Sequence, residues 1–351
     1  LGTGSLVAYS QDKPSETYAW KNVPIVGGGF VPGIVFHPAE PGLRYCRTDM
    51  GGAYRWNDTE KAWKPLLDWL SYEDANLMGI ESIAVDPNDA DRLYLACGTY
   101  TLPWVPDGAI LRSSDRGNNF QRIDVPFKMG GNENGRGNGE RMKVDPFNGD
   151  IIYLGTRNNG LWRSTDQGES WKQVSSFPDV ADLLPDSITD EEEKNYWYWS
   201  HKGSGVFAVI FDPATGIQGM GCTTLYVAVS LQGRDNLYQS NDAGKTWMAV
   251  PNHPQRFKPT DMVLSPDGML YLTYGTNPGP GRMTDGTVWK YNTGNAEWQE
   301  ITPVKPQPEK EKTFGYAAIA VDAQHPQTLL VSTYHRYNID NGEQIFRSTD
   351  G

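Results

Sequence analysis

Apolar stretches alternate with turn signals along the whole chain at a nearly regular spacing. A typical stretch ends in Asp-Pro, passes through a short turn and resumes as a second apolar run, as from Ser82–Pro87 to Leu93–Leu95. The matching aspartates Asp86, Asp145 and Asp212 are 59 and 67 residues apart. Repeats of this length, made of short strands and turns, are typical of a β-propeller.

A second pattern, Ser-x-Asp-x-Gly-x-x-aromatic, follows each pair of apolar runs. It is complete at Ser113–Phe120, Ser164–Trp171 and Ser240–Trp247, cut off at Ser348–Gly351, and degenerate before Trp63 and Trp298. An Asp that accepts bonds from nearby amides, followed by a Gly that tolerates positive φ, suits a tight turn between strands. We therefore predict an all-β fold, a propeller of four-stranded blades (strands A to D), with about six blades' worth of sequence.

The positions of these two turns predict which face binds ligands. The Asp-Pro turn joins strands A and B, and the Ser-x-Asp-x-Gly turn joins C and D, so both lie at one end of an up-and-down blade. The B-to-C and D-to-A loops share the other face. Long loops on one face of a repeat array usually carry the binding site.

Composition narrows the class of protein. The 351 residues include 38 Gly and 24 Pro, as expected of a turn-rich β-protein. The net charge of −12 disfavours nucleic acid or an anionic membrane as partner, and no apolar run is long enough to span a bilayer. Cys46, Cys97 and Cys222 are scattered through predicted strands, which indicates buried free thiols. No motif predicts a metal or a cofactor.

Two aspartates of the first blade have different places in the repeat. Overlay of blade 1 on blade 3 puts Asp58 on Asp166, so Asp58 builds the C-to-D turn. Asp49 falls where blade 3 has Arg157, at the end of strand B and on the loop face. Gly51–Gly52 after it permit a sharp turn and leave space beside the carboxylate. From the residues alone, Asp49 either bonds its own turn or faces a ligand.

Several segments together resemble the N-terminal half of glycoside hydrolase family 74, from about Tyr18 to the last residue. The segments are Gly27–Ile34, Arg47–Trp56, Met78–Pro87 and Asn138–Arg141. Members are xyloglucan-specific endo-β-1,4-glucanases and related enzymes that release oligosaccharides from chain ends. The run Arg-Thr-Asp-x-Gly-Gly-Ala-Tyr-Arg-Trp is specific, whereas the Ser-x-Asp-x-Gly turn also occurs in sialidases and sorting receptors.

The resemblance implies an architecture and a mechanism. Two seven-bladed propellers face each other across a cleft, and hydrolysis inverts the anomeric centre. Asp49 matches the general base, and the general acid is an aspartate of a second, C-terminal propeller of the same polypeptide, which is absent here. The chain then holds half of the active site and turns over negligibly by itself. A polymeric substrate implies an extracellular, secreted protein.

Aromatic side chains on the loop face are candidate sugar platforms, because a glucan offers apolar C–H faces and no charge. We predict substrate contacts from the following residues: Trp69, Tyr100, Trp104, Trp197, Trp199 and Tyr316. Tyr72, Tyr274, Tyr334 and Tyr337 are further candidates. Trp197 and Trp199 belong to a run of four consecutive aromatics, which cannot all face one side of a strand.

A glycine-rich segment precedes the third blade. Gly130–Arg141 does not fit a phosphate-binding loop, because it neither opens a helix nor ends in Lys-Ser or Lys-Thr. We interpret it as a structured loop on the active face. We also expect Glu140 and Arg141 to form an ion pair that shapes the cleft.

The two ends of the sequence leave the blade count open. Tyr18–Val23 resembles a strand D without the preceding A, B and C, as in propellers that close by completing a blade begun elsewhere. Blade 6 stops at Gly351 inside its C-to-D turn. Either the N-terminal strand completes blade 6, or a seventh blade follows; the family resemblance favours the second.

Two other function classes fit the repeats. A noncatalytic propeller that binds glycan or protein, as sorting receptors do, needs no second catalytic domain. A sialidase requires an arginine cluster that clamps a carboxylate, and no arginine here has the flanking sequence expected of that clamp.

Overall fold

The fold is a series of antiparallel β-sheets arranged as the blades of a propeller, as predicted. The computed structural model describes residues 23–25, 27–180, 188–194, 204–279, 283–310, 313–334 and 343–351. Five blade sheets have four strands each, and the sixth has three among these residues. Within each blade the strands pair in chain order. The sequence period predicted this arrangement.

The strand bounds, blade by blade, are as follows. Blade 1 has β1 (Gly33–Phe36), β2 (Arg44–Arg47), β3 (Ala53–Asn57) and β4 (Ala62–Pro65); blade 2 has β5 (Ile80–Asp86), β6 (Asp89–Cys97), β7 (Ala109–Ser113) and β8 (Gln121–Asp124); blade 3 has β9 (Met142–Asp145), β10 (Asn148–Gly155), β11 (Leu161–Ser164) and β12 (Lys172–Gln173).

Blade 4 has β13 (Val206–Phe211), β16 (Leu225–Val229), β17 (Leu237–Ser240) and β18 (Met248–Ala249), with a hairpin of β14 (Gly216–Ile217) and β15 (Gly221–Cys222) inserted; blade 5 has β19 (Lys258–Leu264), β20 (Met269–Gly275), β21 (Gly286–Asn292) and β22 (Glu297–Glu300); blade 6 has β23 (Gly315–Val321), β24 (Leu329–Tyr334) and β25 (Ile345–Ser348). Short 3-10 helices span Tyr72–Met78, Pro213–Thr215 and Pro308–Lys310.

The core lies between the blades. Each of the five spaces between neighbouring blades holds its own cluster of buried apolar side chains. Alternate residues of the inner strands contribute to the two neighbouring clusters, because side chains of a strand point to opposite faces. Cys46, Cys97 and Cys222 are buried and free, which confirms the expectation for the thiols.

The Ser-x-Asp-x-Gly turns have the predicted geometry. In blade 3, Asp166 Oδ1 accepts the Ser170 amide at 2.9 Å and the Ser164 hydroxyl at 2.7 Å. Gly168 has φ +82°, and Gln167 before it has φ +60°. The sequence pattern identified the glycine but not the second left-handed residue.

The alternating strand direction separates two rims of the propeller. The β1–β2 and β3–β4 turns lie at one end of blade 1, and the β2–β3 turn lies at the other. We call the end with the Ser-x-Asp-x-Gly turns the Asp-box rim and the opposite end the loop rim. Asp49, between β2 and β3, lies on the loop rim, and Asp58 lies on the Asp-box rim.

The first and the sixth sheets expose apolar side chains that a neighbouring blade would cover. Ile34 and Phe36 of β1 are 51% and 65% exposed, and Ile345 of β25 is 61% exposed. The corresponding strand of blade 2 is buried over its whole length. Such apolar sheet faces are suited to packing against another sheet.

Among the residues described, no helix has the length and apolar character needed to cross a bilayer. Of the orphan strand predicted near 18–24, residues 18–22 lie outside the described residues, and Val23 and Pro24 are not in a strand.

Candidate active site

The turn that carries Asp49 is closed by the residue before it. The Thr48 amide and hydroxyl donate to Gly52 O at 2.9 and 2.8 Å, and the Gly51 amide donates to Thr48 Oγ1 at 2.8 Å. Gly52 has φ +83°, which an L side chain rarely adopts. Asp49 therefore does not close its own turn, and that interpretation of the residue is wrong.

The carboxylate of Asp49 contacts groups outside the turn. Its Oδ1 accepts the Phe30 amide at 2.8 Å, and its Oδ2 lies 3.1 Å from Arg136 Nε. The side chain is 7% exposed. A side chain on Gly29 would come within 2.7 Å of Oδ1, so glycine is needed there for the chain to pass over the carboxylate.

Arg136 belongs to the segment Gly130–Arg141, which we call the central loop. This loop contacts five blades of the ring, so it lies near the propeller axis. The contacts from blade 1 to blade 5 are Glu140 with Arg47, Gly130 with Glu81, Asn134 with Arg157, Asn138 with Ser204, and Gly135 with Gly279. The prediction of a structured loop on the loop rim is confirmed.

Glu140 and Arg141 do not form the ion pair that we expected. Glu140 binds Arg47 at 2.6 Å and the Ser82 hydroxyl at 2.8 Å. Arg141 binds Glu81 at 2.5 Å. The prediction was wrong because adjacent residues in an extended segment point to opposite sides.

A buried carboxylate between two arginines forms the centre of the network. Glu81 lies 2.5 Å from Arg141 Nε and 2.9 Å from Arg157 Nε. Burial by itself raises the pKa of Glu81, but Arg157 and Arg141, with the bond from the Gly130 amide, outweigh it and lower this pKa to about 2. Glu81 is therefore ionised at neutral pH and is a structural anion.

Backbone bonds tie the segments of the loop rim into a ladder. The Ile80 amide donates to Thr48 O, the Gly98 amide to Gly79 O, and the Gly131 amide to Gly98 O, at 2.8 to 3.1 Å. The turn of Asp49, the start of blade 2, the loop after β6 and the central loop are thus neighbours. The ladder places the β6–β7 loop on the same rim as Asp49.

Two of the predicted platforms lie in that β6–β7 loop. Trp104 is 77% exposed, and Tyr100 is half-buried with its hydroxyl contacting the Asn132 amide group. Asn76 holds the loop through Thr99 and through the carbonyl of Pro106. The structure therefore brings Tyr100 and Trp104 to the rim of Asp49.

Trp69 and Tyr316 are placed elsewhere. Trp69 is 55% exposed, but its ring stacks on Phe120, which belongs to the Asp-box turn of blade 2. Tyr316 is completely buried and donates its hydroxyl to Val304 O at 2.5 Å. The prediction of Tyr316 as a sugar platform is wrong, because this inner-strand residue packs between blades 5 and 6. Trp197 and Trp199 lie outside the described residues.

Two half-open concavities lie between blades 3 and 4, and Asp49 lines neither of them. One of about 410 Å³ is lined by Arg163, Asp166 and Lys172, and one of about 450 Å³ is lined by Arg157 and Gly160. We therefore define the candidate site by the carboxylate and the rim loops around it.

Known proteins with similar sequences and structures match this architecture. A xyloglucanase of Paenibacillus sp is 44% identical over 357 residues, which cover all of this chain and 34% of that protein. The crystal structure of the GH74 xyloglucanase from Xanthomonas campestris has a TM-score of 0.84 and 46% identity, and covers 95% of this chain and 46% of that one. No family model matches the chain.

The chain belongs to glycoside hydrolase family 74. It spans between a third and half of the length of these two relatives. Sortilin of Rattus norvegicus is 31% identical over only 81 residues, or 23% of this chain. That shorter match does not favour the sorting-receptor alternative.

Sequence reasoning missed the partners of Asp49. Arg136 was not identified, although Gly135-Arg136-Gly137 is a usable signal, because flanking glycines let an arginine backbone approach other segments closely. Arg47, which lies two residues before Asp49, was also missed as the residue that holds the central loop. Both contacts join residues about 90 positions apart, so no local pattern predicts them.

Proposed function

We propose that this chain is the part of a xyloglucan-cleaving β-1,4-glucanase that carries its general base, Asp49. The observation that supports this most directly is the environment of the carboxylate. Asp49 is held by partners from other segments, on the rim opposite the Asp-box turns, beside a loop with an exposed tryptophan. Relatives named as xyloglucanases support the choice of substrate.

The proposed reaction inverts the anomeric centre. A carboxylate takes a proton from water as that water attacks the anomeric carbon, and a carboxylic acid on the other side protonates the leaving oxygen. Arg136 beside Asp49 is complementary to the ionised form that a general base must have. The two carboxyl groups of such enzymes are roughly 6.5 to 9.5 Å apart, which leaves room for the water.

We infer that the general acid comes from outside the described residues. Glu81, Glu133 and Glu140 on this rim each accept bonds from arginine or from the backbone. Asp261 has a raised pKa, but its two oxygens accept the amides of Met262 and Ile319. A second, C-terminal propeller of the same polypeptide is the source that we propose, with the protein acting outside the cell on a polymer.

The substrate is a neutral branched glucan in this proposal. A sugar ring packs its C–H face on an aromatic side chain, and Trp104 offers an exposed one. The exposed apolar faces of β1 and β25 support the proposal of a seventh blade that covers them.

Replacement of Asp49 by Asn tests the proposal in the protein that contains both propellers. We expect loss of xyloglucan depolymerisation with retained polymer binding, because Asn still accepts the Phe30 amide but cannot take a proton. NMR of the first product should show the α-anomer if the reaction inverts. Near-normal turnover by Asp49→Asn, or steady release of oligosaccharides by the 351-residue chain alone, would contradict the assignment.

A further inference from the structure

We propose that Arg136 is a positioning residue for the carboxylate of Asp49, and that the central loop exists in part to present it. This inference rests on the proposed role of Asp49 as general base. The structural observation is that one chain segment returns from the propeller axis to contact the carboxylate oxygen that the backbone does not hold.

The two oxygens of Asp49 have separate partners. Oδ1 accepts the Phe30 amide, and Oδ2 faces Arg136 Nε. A carboxylate held at one oxygen alone can still turn about its side-chain bonds. The hydrogen bond at Oδ1 and the ion pair at Oδ2 together restrain the plane of the carboxylate and the direction from which it can accept a proton.

Arg136 is itself held on several sides. Its Nη1 donates to Glu133 O at 3.2 Å, and its guanidinium lies over the Phe30 ring at 5.5 Å from the centroid. Its backbone carbonyl accepts Arg47 Nη1 at 3.1 Å. Phe30 thus binds Asp49 through its amide and supports Arg136 through its ring.

Arg47 sets the register between Asp49 and the central loop. It contacts the carbonyls of Arg136 and Asn138 and the carboxylate of Glu140, and its side chain is 1% exposed. Because Arg47 and Asp49 are two residues apart on one segment, a loop fixed to the first is held in place against the second. Bonds from this arginine to three points of the loop leave little freedom to slide.

Each end of the central loop is bound to a charged side chain of a blade, and these contacts hold the loop in place. Glu140 pairs with Arg47 at one end, and the Gly130 amide contacts the ionised Glu81 at the other. The middle of the loop is bound to blade 5 through Gly135 and Gly279. Arg136 is therefore presented by a segment anchored to the ring on both sides of the axis.

The test compares kcat and KM on xyloglucan in the full two-propeller protein. Arg136→Met keeps an unbranched aliphatic side chain but removes the guanidinium, and with it the contact to Oδ2 and the contact with the Phe30 ring. We expect kcat to fall about 100-fold with KM little changed, since a misplaced catalytic group costs on this scale. Arg136→Lys keeps the charge without the fixed Nε geometry and should lose about tenfold in kcat.

Arg116→Gln is the matched control. Arg116 makes two ion pairs on the Asp-box rim, and Gln167 occupies the same left-handed position in blade 3. This variant should keep kcat and KM, which shows that loss of an arginine pair elsewhere does not slow the reaction. Thermal unfolding of every variant establishes which ones are folded.

The outcomes separate this inference from the proposed function. Wild-type kcat in folded Arg136→Met overturns the inference, and so does a raised KM with unchanged kcat, which would make Arg136 a substrate contact. If Arg136→Met does not fold, Arg136→Lys decides: a lower kcat at unchanged KM supports positioning, and wild-type kcat overturns it. Turnover by Asp49→Asn would instead refute the role of Asp49 itself.

Discussion

The β2–β3 turn of blade 1 and the β10–β11 turn of blade 3 are closed by the same hydrogen bonds, but they carry side chains of opposite charge. In blade 3, Thr156 donates its amide and hydroxyl to Gly160 O at 2.9 and 2.7 Å, as Thr48 does to Gly52. The position after the threonine is Asp49 in one blade and Arg157 in the other.

The comparison shows that the threonine and the glycine close the turn. The residue that follows the threonine can therefore differ between blades. Arg157 is used inward, against Glu81, whose pKa it lowers. Among the described residues, Asp49 forms an ion pair with Arg136 at 3.1 Å, and it lies on the same rim as Trp104. One frame therefore supports a structural ion pair in blade 3 and a candidate catalytic group in blade 1.

Loss of the Asp49 charge should have the largest effect. Asp49→Asn is expected to lower kcat by about 10³-fold, within the range for loss of a general base. Arg157→Met should lower stability, and it should lower the kcat of the folded protein far less than Asp49→Asn does, because Arg157 reaches the site only through Asn134 of the central loop. Steady-state kinetics on xyloglucan measures both, and an equal loss of kcat in the two variants would break the distinction between the turns.

Loss of the Glu81 charge should destabilise the fold by about 3–5 kcal/mol, because two buried arginines lose their anion. Urea unfolding at pH 7 of Glu81→Gln measures this. Glu169→Gln, which breaks an exposed pair with Arg112, should change the free energy of unfolding by no more than about 0.5 kcal/mol.

The ion pairs of Glu81 with Arg141 and Arg157 also predict how the stability of the fold depends on acid pH. A lowered pKa of Glu81 contributes stability above the ordinary range for Glu, and this contribution is lost as pH falls towards 2. The Glu81→Gln variant should lack that part of the acid slope. Parallel acid slopes for the two proteins would show that Glu81 is not the group responsible.

The carboxyl group of Asp261 also lies next to the central loop, beside Gly139. Its pKa is shifted in the opposite direction from that of Glu81. Burial raises its pKa to about 6, although the Ile319 and Met262 amides lower it. The neutral form is favoured on folding, so this contribution is complete below the ordinary pKa of Asp and is lost as pH rises through 6.

The stability of Asp261→Asn relative to wild type should therefore increase between pH 4 and pH 7. We expect about 2 kcal/mol, below the full value for this shift because Asp261 keeps some exposed surface. Urea unfolding across this pH range measures it. A constant difference would show that Asp261 does not titrate there.

Substitution of the exposed aromatic should have the smallest effect. Trp104→Ala should raise KM for xyloglucan several-fold and leave kcat unchanged, as expected for about 1 kcal/mol of ring packing. Tyr316→Phe should leave KM unchanged, because its hydroxyl bonds inside the protein. A higher KM for Tyr316→Phe alone would reverse the assignment of the two aromatics.

The repeat made much of the fold predictable. The turn geometry around Asp166 follows from residues within four positions of one another, and the strand order follows from the spacing of such turns. The same local rules separated Asp49 from Asp58. They placed Asp49 on the loop rim without any knowledge of its neighbours.

The partners of the charged side chains were not predictable in this way. Arg136 reaches Asp49 only because a loop crosses the axis, and Glu140 and Arg141 diverge to partners in different blades. Burial of Tyr316 likewise depends on the packing of blade 5 against blade 6. These contacts depend on the arrangement of whole sheets around the axis.

The backbone ladder from Thr48 through Gly79 and Gly98 to Gly131 limits how this enzyme family can vary. An insertion in any of the segments joined by these bonds would displace the neighbouring segments and, with them, the carboxylate of Asp49. The tip of the β6–β7 loop, around Trp104, lies outside these backbone bonds, and we expect it to tolerate changes in length. In the proposed glucanase, changes at that tip would alter substrate preference without moving Asp49.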